Sequence, residues 1–75
     1  MKLGRYKHYK GGTYEVHGVV MHSETGEKMV LYSSVEHESL FEEYGNPVHF
    51  VRPYKMFNET VLVEGKETLR FTPLG

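Results

Sequence analysis

The segment Thr13–His22, T-Y-E-V-H-G-V-V-M-H, restricts the fold of this chain more than any other. β-Branched and aromatic residues dominate it, and such side chains suit a pleated, half-buried strand. In an unbroken strand, side chains alternate between two faces. One face would carry Tyr14, Val16, Gly18, Val20 and His22, and the other Glu15, His17, Val19 and Met21. The first half therefore alternates apolar and polar residues. From Val19 to Met21 both faces are apolar. Gly18 stands at the changeover, and glycine inside a strand marks a bend or a bulge. A strand that bends there and is then buried on both sides predicts a small closed barrel.

The remaining segments extend that expectation. Residues Arg5 to Tyr9 alternate as a short first strand, and Lys10-Gly11-Gly12-Thr13 reads as a turn. Ser23-Glu24-Thr25-Gly26 is a hairpin turn whose side chains can bond nearby amides. Glu27 to Ser34 returns as a strand centred on Met29, Val30, Leu31 and Tyr32. The acidic stretch Val35 to Asn46 breaks the pattern and is expected to form a loop pinned by Leu40 and Phe41, with room for a helical turn. Pro47 to Arg52 is a fourth strand, because proline can open a strand but not occupy its interior. Pro53 ends it and suits the first turn of a helix, so Tyr54 to Phe57 reads as one helical turn. Thr60 to Val63 is a strand, Glu64-Gly65-Lys66 a turn and Thr68 to Thr72 a last strand. This order predicts an all-β, SH3-like barrel of about five to six strands with one short helical turn. Residues 1–75 are expected to form a single domain.

Composition narrows the function classes. The chain has no cysteine, so no disulfide supports its small core, and a reducing compartment fits. The N-terminal M-K-L-G-R-Y-K-H-Y-K lacks the apolar stretch of a signal peptide. No apolar run approaches the roughly 18 residues of a membrane helix. A soluble, cytoplasmic protein without membrane contact is the expectation. Nine basic and ten acidic residues give a net charge of −1, which excludes a molecule-wide field for phosphate polymers. Charge is nonetheless uneven. Lys2, Arg5, Lys7, His8 and Lys10 make the N-terminus basic, whereas Glu36, Glu38, Glu42 and Glu43 make the middle acidic. Two solvated faces explain this, and so does a basic docking strip for an anion.

The motifs H-Y-K-G-x-x-Y-x-V-x-G (His8–Gly18), H-S-E-T-x-E-x-x-V-x-Y (His22–Tyr32) and V-R-P-x-x-M-F (Val51–Phe57) span most of the chain. On these residues the chain closely resembles a bacterial family of short proteins known as a domain of unknown function with an SH3-like barrel. The resemblance implies a fold and a set of characteristic polar positions, and it implies no activity. Phe50 stands where the family pattern has tryptophan, and Gly26 where a larger residue is usual.

Several residues could carry chemistry. His22-Ser23-Glu24-Thr25 brings base, hydroxyl and acid to one hairpin, the residue types of acid–base or nucleophilic catalysis. Neighbours in a strand point to opposite faces, however, so spacing alone does not make His22 and Ser23 converge. The alternative is that Ser23 and Thr25 cap the turn, Glu24 bonds backbone or a cation, and His22 tethers a loop. Arg52, at a strand end, could present a planar charged fork to a carboxylate or phosphate, or could pair internally with Glu24 or Glu27. His8, His17, His22, His37 and His49 lack short ligand spacing and cysteine partners, so neither a metal nor another cofactor is expected. Strand parity and separation leave a meeting of His8, His22 and Glu24, or of His22 and His49, open without supporting it. Arg5, Tyr6, Lys7, Tyr9 and Lys10 interleave rings and positive charge, as single-strand stacking platforms do. An edge strand guarded by lysines would look the same.

The leading expectation is a non-enzymatic binding module. It would recognise a small anionic or polar ligand, or a protein segment, through His8, Tyr9, His22, Glu24, Tyr32 and Arg52. The alternative is single-stranded nucleic-acid binding through Arg5, Tyr6, Lys7, Tyr9 and Lys10. An enzyme ranks third, because no nucleophile–base–orienter set follows from spacing. Monomer and weak dimer are both open.

Overall fold

The structure, a computed structural model, describes residues 1–35 and 47–75. The expected loop with Leu40 and Phe41 lies outside the described residues apart from Val35. Four strands come first: β1 (Gly4–His8), β2 (Thr13–Met21), β3 (Lys28–Ser34) and β4 (His49–Pro53). A short helix α1 (Tyr54–Asn58) follows, then β5 (Thr60–Val63), β6 (Lys66–Leu69) and β7 (Phe71–Pro73). The all-β class and the single helical turn after Pro53 are those the sequence predicts. A five-stranded sheet runs in the order β4-β3-β2-β1-β7, and β5-β6 forms a separate hairpin. Every pairing is antiparallel.

Two turns show why these strands end where they do. Gly12 has φ +87, a conformation strained for other residues, so glycine closes the turn between β1 and β2 without that strain. Glu64 and Gly65 both have positive φ, 52 and 79. That pair suits the right-handed twist of a two-residue hairpin and joins β5 to β6.

The bend at Gly18 is present, with a consequence different from the one expected. Val16 opposes Tyr32 and Gly18 opposes Leu31, so His17 is the extra residue of a β-bulge. An inserted residue flips the side-chain parity beyond it. Val19, opposite Val30, therefore joins Tyr14 and Val16 on the inner face, while Val20 turns to the other face, where its partner Met29 is buried. The segment is not buried on both sides, since Val19 and Val20 are each 39% exposed and Met21 is 73% exposed. Among the described residues the sheet ends at β4 and β7, which do not pair, so the barrel is not closed.

The expected last strand, Thr68–Thr72, is two strands. It breaks at Arg70, whose N–H donates to the Glu59 carbonyl at 3.2 Å while its own carbonyl accepts from Tyr9 N–H at 2.9 Å. Arg70 thus faces α1 on one side and the β1 turn on the other, and the chain changes sheets there. Its guanidinium holds the corner, with Nε donating to the Met56 carbonyl at 3.1 Å and Nη2 to Glu59 Oε1 at 2.6 Å. The described residues therefore form seven strands, and β7 lies beside β1. As a result β1 is an interior strand, not a lysine-guarded edge.

The core is largely aromatic. Tyr6, Val16, Val30, Tyr32, Phe57 and Phe71 form one buried cluster. Phe57, delivered by α1, stacks on Phe71 with centroids 4.0 Å apart and planes 2° apart. Tyr6 and Tyr32 each meet Phe57 edge to face at 5.5 Å. Burying one such ring contributes about 1.5–3 kcal/mol, so two or three rings decide the stability of so small a core.

Candidate functional site

Each of the first two hairpin turns begins at a histidine. After β1, His8 Nδ1 accepts the Lys10 N–H at 3.1 Å and the His8 carbonyl accepts the Gly11 N–H at 2.9 Å. After β2, His22 Nδ1 accepts from Glu24 N–H at 3.1 Å and Thr25 N–H at 3.4 Å, and its carbonyl accepts from Gly26 N–H at 2.8 Å. Both rings serve as side-chain caps of tight turns. Accepting at Nδ1 places the proton of each neutral ring on Nε2. Thr25 Oγ1 also accepts from Glu27 N–H at 3.1 Å. The His22–Thr25 segment is therefore a self-capped turn, and its side chains are exposed.

Only the first turn lies against the core. The His8 ring meets Phe71 at 4.9 Å, Tyr9 at 4.7 Å and Tyr14 at 6.3 Å. Phe71 also meets Tyr14 and Tyr32, each at 5.7 Å, and lies beneath the Arg52 guanidinium, whose Cζ is 5.4 Å from the ring centre. Arg52 Nε donates to Tyr32 Oη at 3.3 Å. Among the described residues, no carboxylate pairs with Arg52. Burial first, then the positive charges of Arg52, Arg70 and Lys10, holds the His8 imidazole below the ordinary histidine range. Cations thus gather at this end of the sheet, although Arg70 is neutralised by Glu59. Lys10 Nζ sits 5.7 Å from the Tyr9 ring centre.

Of the six ligand residues expected from sequence, His8, Tyr32 and Arg52 gather around Phe71, and Tyr9 meets the His8 ring. His22 and Glu24 do not join them. They follow Met21, which pairs with Lys28, whereas His8 lies beyond the Lys7–Thr13 pair at the opposite end of β2. Arg52 pairs with neither Glu24 nor Glu27, so the internal ion pair considered for it does not form. Tyr14, Arg70 and Phe71 belong to the site and carry no local signal for it. Strand periodicity places Tyr14, but Arg70 and Phe71 reach the site only because the chain changes sheets between β6 and β7.

The N-terminal basic residues are divided by strand parity. Arg5 and Lys7 are exposed, and Arg5 Nε lies 3.7 Å from Glu15 Oε1. Tyr6 points the other way, is 5% exposed and donates its hydroxyl to the Lys2 carbonyl. Burial, then Tyr54, pushes the Tyr6 phenol above its ordinary value. It therefore offers no ring face to a base. Elsewhere, His17 and His49 stack at 4.8 Å with planes 30° apart beside the bulge, and His17 Nε2 bonds Ser33 Oγ at 2.8 Å. No group of three metal-ligating side chains occurs among the described residues. His49 pairs with Ser33 near the far end of β3 from His22, so those two rings do not meet.

These features define a small all-β protein with an aromatic face on which one arginine is held by a tyrosine and a phenylalanine. Residues 4–73 match the family described as "Protein of unknown function (DUF1653)", and the chain belongs to that family. It is similar to a crystal structure of a DUF1653 protein from Bordetella bronchiseptica, with 31% sequence identity and a TM-score of 0.84, covering 100% of this chain and 88% of that one. Among curated proteins no match is found. No helix among the described residues is long and apolar enough to cross a membrane.

Proposed function

We propose that this protein is a non-enzymatic binding module that receives a small anionic or polar ligand, or an acidic protein segment, on the His8–Tyr9–Tyr32–Arg52 face. The observation that carries this reading is the state of Arg52. Its guanidinium is oriented by Tyr32 and Phe71, lies beside other cations and has no carboxylate partner among the described residues. A cation fixed in this way favours an incoming anion, because its orientation is set before binding. His8 supports the reading as a neutral donor, since its Nδ1 is committed to the turn. The finer description as an SH3-like module of bacterial cytoplasm rests on the strand order, the Bordetella relative and the cysteine-free sequence.

An amide NMR titration with acetate, inorganic phosphate and a short oligouridine tests this. Saturable shifts at His8, Tyr32 and Arg52 with a small anion, lost in Arg52→Gln, are the expected result. Shifts confined to Arg5–Lys10, seen only with the oligonucleotide and suppressed by salt, would move the assignment to single-stranded nucleic acid. No saturable shift with any probe overturns both readings.

A further inference from the structure

The geometry points to a planar aromatic monoanion, a ring bearing one carboxylate, as the ligand of this face. The inference rests on the anion-binding reading above and begins from Phe50. Phe50 opposes Tyr32 and Arg52 opposes Val30, and both partners are buried on the inner face of β3. Phe50 and Arg52 therefore share one face of β4, two residues and roughly 7 Å apart along the strand. Tyr32 backs both. Its ring lies 5.6 Å from Phe50 at 39°, and its hydroxyl accepts from Arg52 Nε.

Arg52 thus has one donor committed, and its Nη groups have no hydrogen-bond partner among the described residues. Beside it, Phe50 is 41% exposed, leaving ring surface in water. An aromatic acid satisfies both at once. Its ring covers Phe50 in an offset or tilted arrangement, and its carboxylate meets the Nη donors. One unpaired guanidinium favours a single negative charge: Arg70 is paired with Glu59, Arg52 has no carboxylate partner among the described residues, and the surroundings of His8 disfavour its protonation.

Calorimetric titration of the wild-type chain with phenylacetate, cyclohexylacetate, acetate and inorganic phosphate tests the assignment, alongside Phe50→Leu, Phe50→Tyr and Arg52→Gln. Folding of each variant is read from its amide spectrum. Phenylacetate should bind about threefold to tenfold more tightly than cyclohexylacetate, the range expected for a ring–ring contact. Phe50→Leu should remove that preference, Phe50→Tyr should keep it, and Arg52→Gln should abolish binding of both acids. Equal affinity for the two ring acids, or a phenylacetate preference that survives Phe50→Leu, overturns the aromatic assignment while leaving an anion site. Tighter binding of phosphate than of phenylacetate overturns the single-charge assignment. Failure of all four probes to bind overturns the underlying reading as well.

Discussion

The turns led by His8 and His22 use the same local device in different surroundings. In each, Nδ1 accepts an amide two residues ahead and the carbonyl accepts a glycine N–H. At His22 the device stands in solvent and closes a hairpin. At His8 the same ring leans on Phe71 and Tyr14 and lies in the field of Arg52. A capping histidine is thus a local feature, and a site requires walls and charge that local structure cannot supply.

The most disruptive way to break this comparison is to remove the wall. Phe71→Ala takes away the ring shared by His8, Arg52, Tyr14, Tyr32 and Phe57, and should cost about 3–5 kcal/mol. Chemical denaturation measures it, and a loss below about 1 kcal/mol would mean that Phe71 does not organise this end of the molecule.

Arg52→Ala should be milder. Losing the bond to Tyr32 and the contact with Phe71 should cost about 1 kcal/mol in unfolding free energy. Wild-type stability would show that the guanidinium contributes nothing to the fold.

A third expectation concerns pH. His8 has a folded-state pKa below its ordinary value of 6.5, so the unfolded chain takes up its proton first as pH falls. The stability associated with neutral His8 is full above the unfolded value and is lost as pH falls through the folded one. His8→Gln should flatten the dependence of unfolding on pH below about 6.5. An unchanged profile would show that neither burial nor the cations around His8 act on it.

The smallest effect belongs to the exposed turn. His22→Asn keeps a side-chain acceptor at the turn position and should alter stability by no more than about 0.5 kcal/mol. His22→Ala should be the more destabilising of the two in thermal unfolding. If His22→Asn instead removed binding of the anion probes, the division between the two turns would fail.

Much of the fold was legible residue by residue. The Gly11-Gly12 and Glu64-Gly65 turns, the Pro53 boundary and the strands around them follow from preferences acting over a few residues. Half of the candidate site was legible in the same sense. His8, Tyr9, Tyr32 and Arg52 stood out as polar or amphipathic groups beside strands. His22 and Glu24 stood out equally, but they are placed at the other end of β2. Nothing in spacing could separate the two groups, because the distance between them is set by the pairing of β1 on β2. The bulge at His17 defeated a second inference: one inserted residue moved Val19 inward and Val20 outward, reversing the parity beyond Gly18.

The sequence by itself therefore determined an all-β chain, its turns and most strand limits, since φ preferences and side-chain alternation are local. Tertiary structure decided that the sheet stays open among the described residues, that the last strand splits at Arg70 and that Phe71 brings Arg52 and His8 to one face. Those outcomes depend on strand register and on contacts between distant segments. No single segment encodes them, because each half of such a contact gains its energy only when the other half is in place.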